Sequence, residues 1–107
     1  MVRWLPAVLR QVHKLVAEGK VGLTYKAVRE SEAMGLAPDD VCDVLAGLAT
    51  ADSAGRLASR ITDEWMYVFK PRVGAEVIYV KLVLRLDCVV VSFHEDEGGA
   101  GHEDEDA

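Results

Sequence analysis

The chain has 107 residues, half of them apolar and 28% charged, which suits one domain with a single core and excludes global disorder. Its longest apolar stretches, Val77 to Leu84 (broken by Lys81) and Cys88 to Val91, fall far short of the ~20 residues a membrane span needs, and the N-terminal stretch to Arg10 lacks the apolar run and cleavage site of a signal peptide. Of 18 acidic residues, seven (Glu95, Asp96, Glu97, Glu103, Asp104, Glu105, Asp106) follow Phe93, where no Lys or Arg occurs, so 11 acids face 12 bases in the rest and the net charge of −6 belongs to the tail. Phosphate binding by the near-neutral body therefore needs a local basic patch rather than a global field.

The first half reads as helical. Val8, Leu9, Val12, Leu15 and Val16 form the stripe of a helix with one buried face, with Pro6 in its first turn and Gly19 as a stop. Thr24 is the expected N-cap of a second helix, Tyr25 to Met34, ending at Gly35. Pro38 opens a third, with Asp39 and Asp40 where the helix dipole favours negative charge and with Val41, Val44, Leu45 and Leu48 on one side. Residues 50–63 lose this periodicity and read as a connecting loop that carries Arg56 and Arg60.

The second half reads as β. Trp65 to Lys70, Val77 to Arg85 and Cys88 to His94 are rich in aromatic and β-branched residues, with Pro71 and Gly74 marking one turn and Leu86-Asp87 the next. Helices followed by strands imply an α+β domain, N-terminal helices packed on one face of a C-terminal antiparallel sheet. Residues 1–94 are read as one domain and 95–107 as an acidic, disordered tail. Cys42 and Cys88 are too few and too far apart for a disulfide framework or a zinc knuckle, so buried thiols in a reduced, cytoplasmic protein are expected.

Alternation along the strands makes the register informative. A two-residue turn at Leu86-Asp87 pairs Arg85 with Cys88, Lys81 with Ser92, and Tyr79 with His94. Val89, Val91 and Phe93 then face the helices, and Cys88, Val90, Ser92 and His94 face away. A three-residue turn pairs Leu84 with Cys88 and mixes polar with apolar sides, so the first register is expected. It gathers Tyr79, Lys81, Ser92 and His94 on an outward, solvated sheet face. Such a face is ordinary surface in many sheets. It also suits phosphodiester chemistry, in which a base takes the ribose 2′-OH proton, cations stabilise the phosphorane charge and an acid protonates the leaving 5′-oxygen. Histidine, with a reference pKa of about 6.5, serves as base or acid near neutrality, so a cleavage rate set by His94 is expected to vary with pH between about 5.5 and 7.5. Arg and Lys suit the charge-stabilising role.

Other candidates are weaker. His13 reads as a surface residue beside Lys14, and His102 sits in the tail without the spacing of a metal site. Lys70-Pro-Arg72 is a basic turn suited either to phosphate contact or to plain solvation, and the acidic tail either stays solvated or competes with RNA for a basic face. There is no phosphate-binding Gly-rich loop, no His-Glu-x-x-His and no paired cysteine motif.

Several blocks together resemble the MqsR family of bacterial toxins: Leu9-Arg-Gln-Val-His-Lys-Leu-Val-Ala-Glu-Gly-Lys-Val21, Glu32-Ala-Met-Gly-Leu36, Val41-Cys-Asp-Val-Leu-Ala-Gly-Leu48, Trp65-Met-Tyr-Val-Phe-Lys-Pro-Arg72, Ile78-Tyr-Val-Lys81 and Val89-Val-Val-Ser-Phe93. The resemblance runs over residues 9–94 in the same order. It implies a RelE-like fold and a metal-independent, ribosome-independent mRNA interferase of a type II toxin–antitoxin pair, with preference for GCU sequences and no cofactor. The implied partners are mRNA and a cognate antitoxin with a zinc-binding N-terminal domain and a helix-turn-helix domain, through which promoter DNA is reached indirectly. The family's catalytic tyrosine matches Tyr79. Its lysine near the C-terminus falls on His94 and its glutamine after the strand tryptophan on Met66, both departures, while its lysine before the sheet falls near Arg56. Lys70 and Arg72 match its basic turn. The resulting candidate set is Tyr79, His94 and Arg56 for catalysis, with Lys70, Arg72, Lys81, Arg60, Met66 and Ser92 for RNA and phosphate. The alternative is a non-catalytic module on the same scaffold that binds antitoxin or RNA without cutting.

Overall fold

In a computed structural model of the chain, which describes residues 2–97, each apolar stripe of the first half becomes a helix. In chain order the elements are α1 (Leu5–Ala17), β1 (Val21–Leu23), α2 (Tyr25–Ala33), α3 (Pro38–Ala46), a 3-10 turn (Thr50–Asp52), β2 (Ser53–Ala58), β3 (Trp65–Phe69), β4 (Arg72–Val73), β5 (Glu76–Leu84) and β6 (Cys88–Glu95). The helix starts follow the expected chemistry. The Thr24 hydroxyl accepts the Ala27 N–H at 3.1 Å, and the Asp40 carboxylate accepts the Ala37 N–H at 2.8 Å, each satisfying a donor the helix itself leaves over.

The strands form one sheet in the order β1-β6-β5-β3-β2, with the short β4 pairing with β5. The expectation of a purely antiparallel, C-terminal sheet is corrected: β1, from the helical half, lies parallel to β6. Three residues, one of them Gly22, are too few to show alternation, so this strand is set by its partner rather than by its own sequence. The loop expected over residues 50–63 is likewise corrected at β2, which pairs with β3 from Ser53 opposite Phe69 to Ala58 opposite Trp65. Its residues Ser, Ala and Gly carry little strand propensity. A register shift inside it falls at Gly55, whose φ of 103° is a conformation that suits glycine.

The apolar core lies between the helices and one side of this sheet. Val12 of α1, Ala27 of α2 and Val41 and Leu45 of α3 are fully buried with Phe69, Val80, Leu82, Cys88, Val90 and Phe93. Fully burying a side chain of this size is worth roughly 1.5–3 kcal/mol. His13, expected at the surface, is half-buried instead. Its Nε2 donates to the Leu48 carbonyl at 2.9 Å, tying α1 to the chain just past α3. Burial pushes the Cys88 thiol up to about 12, with Cys42 adding to it, and burial followed by Asp39 and Asp43 raises that of Cys42. Both thiols are therefore protonated and unreactive near neutrality.

Near its turn the β5–β6 hairpin differs from the expected register. Leu84 pairs with Cys88, Val83 with Val89 and Leu82 with Val90, so the turn holds three residues, Arg85 to Asp87, and the expected Arg85–Cys88 pair is not formed. The ladder then shifts, and Lys81 pairs with Ser92, Val80 with Phe93 and Tyr79 with His94, as expected. Val91 is the extra residue, a β-bulge. Cys88 and Val90 therefore face the core together with Phe93, while Ser92 and His94 lie on the other side, an assignment that strict alternation cannot produce. The bulge is held from the neighbouring segment, because the Thr24 N–H donates to the Val90 carbonyl at 3.0 Å and the Thr24 hydroxyl to the Val91 carbonyl at 3.1 Å.

Candidate active site

The side of the sheet away from the helix core carries Tyr79 and Lys81 from β5, Ser92 and His94 from β6, and Met66 and Val68 from β3. The Tyr79 and His94 rings stack almost in parallel, with centroids 5.0 Å apart and planes 10° from each other. The expected solvated face is corrected here. Tyr79, Lys81 and Ser92 are 4%, 2% and 1% exposed. The His94 ring lies against Tyr79, and chain from both flanks borders the space above Lys81 and Ser92. The β2–β3 loop leans in from one side with Ser59, Arg60 and Ile61, and α2 brings Lys26 from the other. Between them is a cleft of about 280 Å³, with Met66, Lys81, Val91 and Ser92 as its floor.

Hydrogen bonding orders this region. The Lys26 ammonium donates to the Ser92 hydroxyl at 2.7 Å and lies 3.1 Å from the Glu30 carboxylate. The other Glu30 oxygen accepts the Phe93 N–H at 2.8 Å, so a side chain of α2 satisfies the edge of β6 where β1 has ended. His94 Nδ1 lies 2.9 Å from the Glu95 carbonyl oxygen. A carbonyl only accepts, so Nδ1 is the donor, and in the neutral ring Nε2 is the nitrogen with the lone pair. On the loop, the Ser59 hydroxyl accepts the N–H groups of Ile61 and Thr62 at 3.1 and 3.2 Å. The loop is also tied to the far hairpin turn, where Arg85 donates to both Glu64 oxygens at 2.7 and 2.9 Å. Those bonds, then the one from Thr62, hold the Glu64 carboxyl at about 2, well below its ordinary value.

Of the nine candidates, the structure brings Tyr79, Lys81, Ser92, His94, Met66 and Arg60 to one side of the sheet. Lys70 lies at the end of β3 with its ammonium 3.5 Å from Asp96, so it is an ion-paired group at the margin. Arg56 is corrected as a neighbour of this cluster. It pairs with Tyr67, whose side chain packs against the core, and its guanidinium sits over two rings, 3.8 Å from the centroid of Trp65 and 5.0 Å from that of Trp4. That is a cation–π clamp on the helix side. Arg72 is also elsewhere, bordering a separate cleft with Asp43 and Asp52. His102 and residues Glu103 to Asp106 lie outside the described residues.

Sequence reasoning missed Lys26 and Glu30. Their spacing of four on a helix signals a surface pair. That α2 runs beside β6 is a tertiary fact with no local signature. Among the described residues no group of three or more His, Cys, Asp or Glu side chains is arranged to hold a metal ion, and no helix is long and apolar enough to cross a membrane.

Comparison with known proteins bears on this geometry. The family model described as "Motility quorum-sensing regulator, toxin of MqsA" matches residues 6–95. The mRNA interferase toxin MqsR of Escherichia coli (strain K12) is 33% identical over 88 residues, covering 81% of this chain and 90% of that protein.

Proposed function

We propose that this chain, which belongs to the MqsR toxin family, is an mRNA interferase whose active centre is the covered polar side of its sheet. The observation that carries this reading is the stacked Tyr79–His94 pair on the same side of the sheet as Lys81 and Ser92, which floor a cleft bordered by Lys26 and Arg60. In the reaction the ribose 2′-oxygen bonds to the adjacent phosphorus, the bond to the 5′-oxygen breaks, and the products are a 2′,3′-cyclic phosphate and a 5′-hydroxyl. Nε2 of His94 accepts the 2′-OH proton, its ring held by the Nδ1–H bond to Glu95 and by the Tyr79 ring. The Tyr79 phenol orients the reacting phosphate or supplies a proton to the leaving oxygen. Lys81, Lys26 and Arg60 face the charge that develops on the non-bridging oxygens. No step calls for a metal ion.

The narrow cleft implies that RNA enters by displacing the loop over residues 59–64, which is held to the β5–β6 turn by the exposed Arg85–Glu64 pair. By family resemblance the preferred sequence is GCU, with Met66 standing where a hydrogen-bonding glutamine is found in the family. The partner is a cognate antitoxin, read as zinc-binding with a helix-turn-helix domain, and the setting is the cytoplasm.

The test is primer extension on a long transcript incubated with the purified chain, alone and as Tyr79→Phe or His94→Ala. Discrete cuts that leave a cyclic phosphate, lost in both variants, are expected. A wild-type chain that binds the transcript and leaves it whole would instead establish the non-catalytic module.

A further inference from the structure

We propose that the outer side of α2 is a docking track for the single-stranded RNA that flanks the scissile phosphate, with Tyr25 as a base-stacking platform; the proposal deepens the ribonuclease reading and rests on it. Tyr25, the first residue of α2, is 77% exposed, and the guanidinium of Arg29, one helical turn on, lies 5.6 Å from its ring centroid. With Lys26, Glu30 and Ala33 these two side chains border a hollow of about 420 Å³.

The position of this hollow gives it an occupant. Lys26 borders both the hollow and the cleft beneath the β2–β3 loop, so a strand that leaves the cleft across Lys26 comes next to Tyr25 and Arg29. The chemistry matches such a strand. Aromatic side chains take the π-face of any base, and a cation beside the ring meets the backbone phosphate that follows. Glu30 does not oppose this, because one of its oxygens accepts the Phe93 N–H and the other lies against Lys26. The Tyr25 ring makes no part of the buried core, so its exposure is compatible with a binding role and its replacement leaves the fold intact.

The test is fluorescence anisotropy with two RNAs that cannot be cut because the attacking sugar is 2′-deoxy. One is about six nucleotides long, centred on the cleavage sequence and filling the cleft, and the other carries about six more on each side. Wild-type chain is expected to bind the longer RNA more tightly. Tyr25→Ala and Arg29→Ala are each expected to weaken the longer RNA about tenfold and leave the shorter unchanged, while Tyr25→Phe, which keeps the ring, retains the wild-type affinity. Unchanged binding of the longer RNA by Tyr25→Ala, or an equal loss on both RNAs, overturns the track. If the wild type still cuts the transcript in that case, the ribonuclease reading stands without it. If the wild type neither binds nor cuts RNA, both readings fall.

Discussion

The two sides of this sheet are buried to nearly the same degree and differ in what is buried. On the helix side Phe69, Val80, Leu82, Val90 and Phe93 are fully covered, with no charged group among them. On the other side Lys81, Ser92 and Tyr79 are covered almost as completely, the first two beside a loop and the long side chain of a neighbouring helix, and Tyr79 against the His94 ring. Burying apolar atoms favours folding, whereas burying an ammonium and a hydroxyl costs free energy unless each finds partners. The first side thus serves stability, and the second holds polar groups in a drier environment, where electrostatic interactions are stronger than in water and where the proposed site lies. Depth of burial alone does not mark a core.

The sharpest way to break this contrast is Tyr79→Phe. Loss of the phenol is expected to lower the cleavage rate by about 10²–10⁴-fold, the usual scale for a positioned proton-transfer group, measured on a short RNA of the cut sequence, with little change in urea midpoint. Leu45→Ala on the other side is expected to do the reverse, lowering unfolding free energy by about 2–5 kcal/mol while each folded molecule cuts at the wild-type rate. If Leu45→Ala slowed folded enzyme as much as Tyr79→Phe, the division between the sides would be lost. Arg56→Ala sharpens it further, because the Arg56 guanidinium lies over Trp4 and Trp65 on the helix side rather than beside Tyr79. It is expected to cost about 1 kcal/mol of stability and to leave cleavage by folded protein intact.

The smallest effect concerns the latch between loop and turn. The folded-state value of Glu64 is held at about 2, mainly by Arg85 and then by Thr62, below its unfolded value near 4.5. The pair's stabilisation is therefore present above pH 4.5 and is lost as pH falls towards 2. Glu64→Gln is expected to flatten the fall of Tm across that window slightly, and the flattening should shrink at high salt because the pair is exposed. A steeper fall in the variant would reverse the assignment.

Much of this architecture was legible because local signals agreed. Thr24, Pro38, Gly19 and Gly35 punctuate stripes that become three helices, and the runs from Trp65, Val77 and Cys88 become β3, β5 and β6. What was not legible depended on partners. The strand at Ser53–Ala58 forms because β3 offers an edge, and it carries Arg56 to the side of the sheet opposite Tyr79. Lys26 reaches the site because α2 lies beside β6, a contact between residues 66 positions apart. The pairing of Tyr79 with His94 was anticipated from an unbroken ladder, whereas the structure reaches it by a longer turn and a bulge, two departures that offset each other.

That bulge is an added residue in an otherwise regular ladder. Without Val91, Val90 would still lie opposite Leu82 and Ser92 opposite Lys81, so its deletion would leave Tyr79 beside His94 and Phe93 among the leucines. What the insertion supplies is local. Val91 and Ser92, neighbours in the chain, both border the cleft, so one strand lends two consecutive side chains to the same floor where plain alternation would lend one.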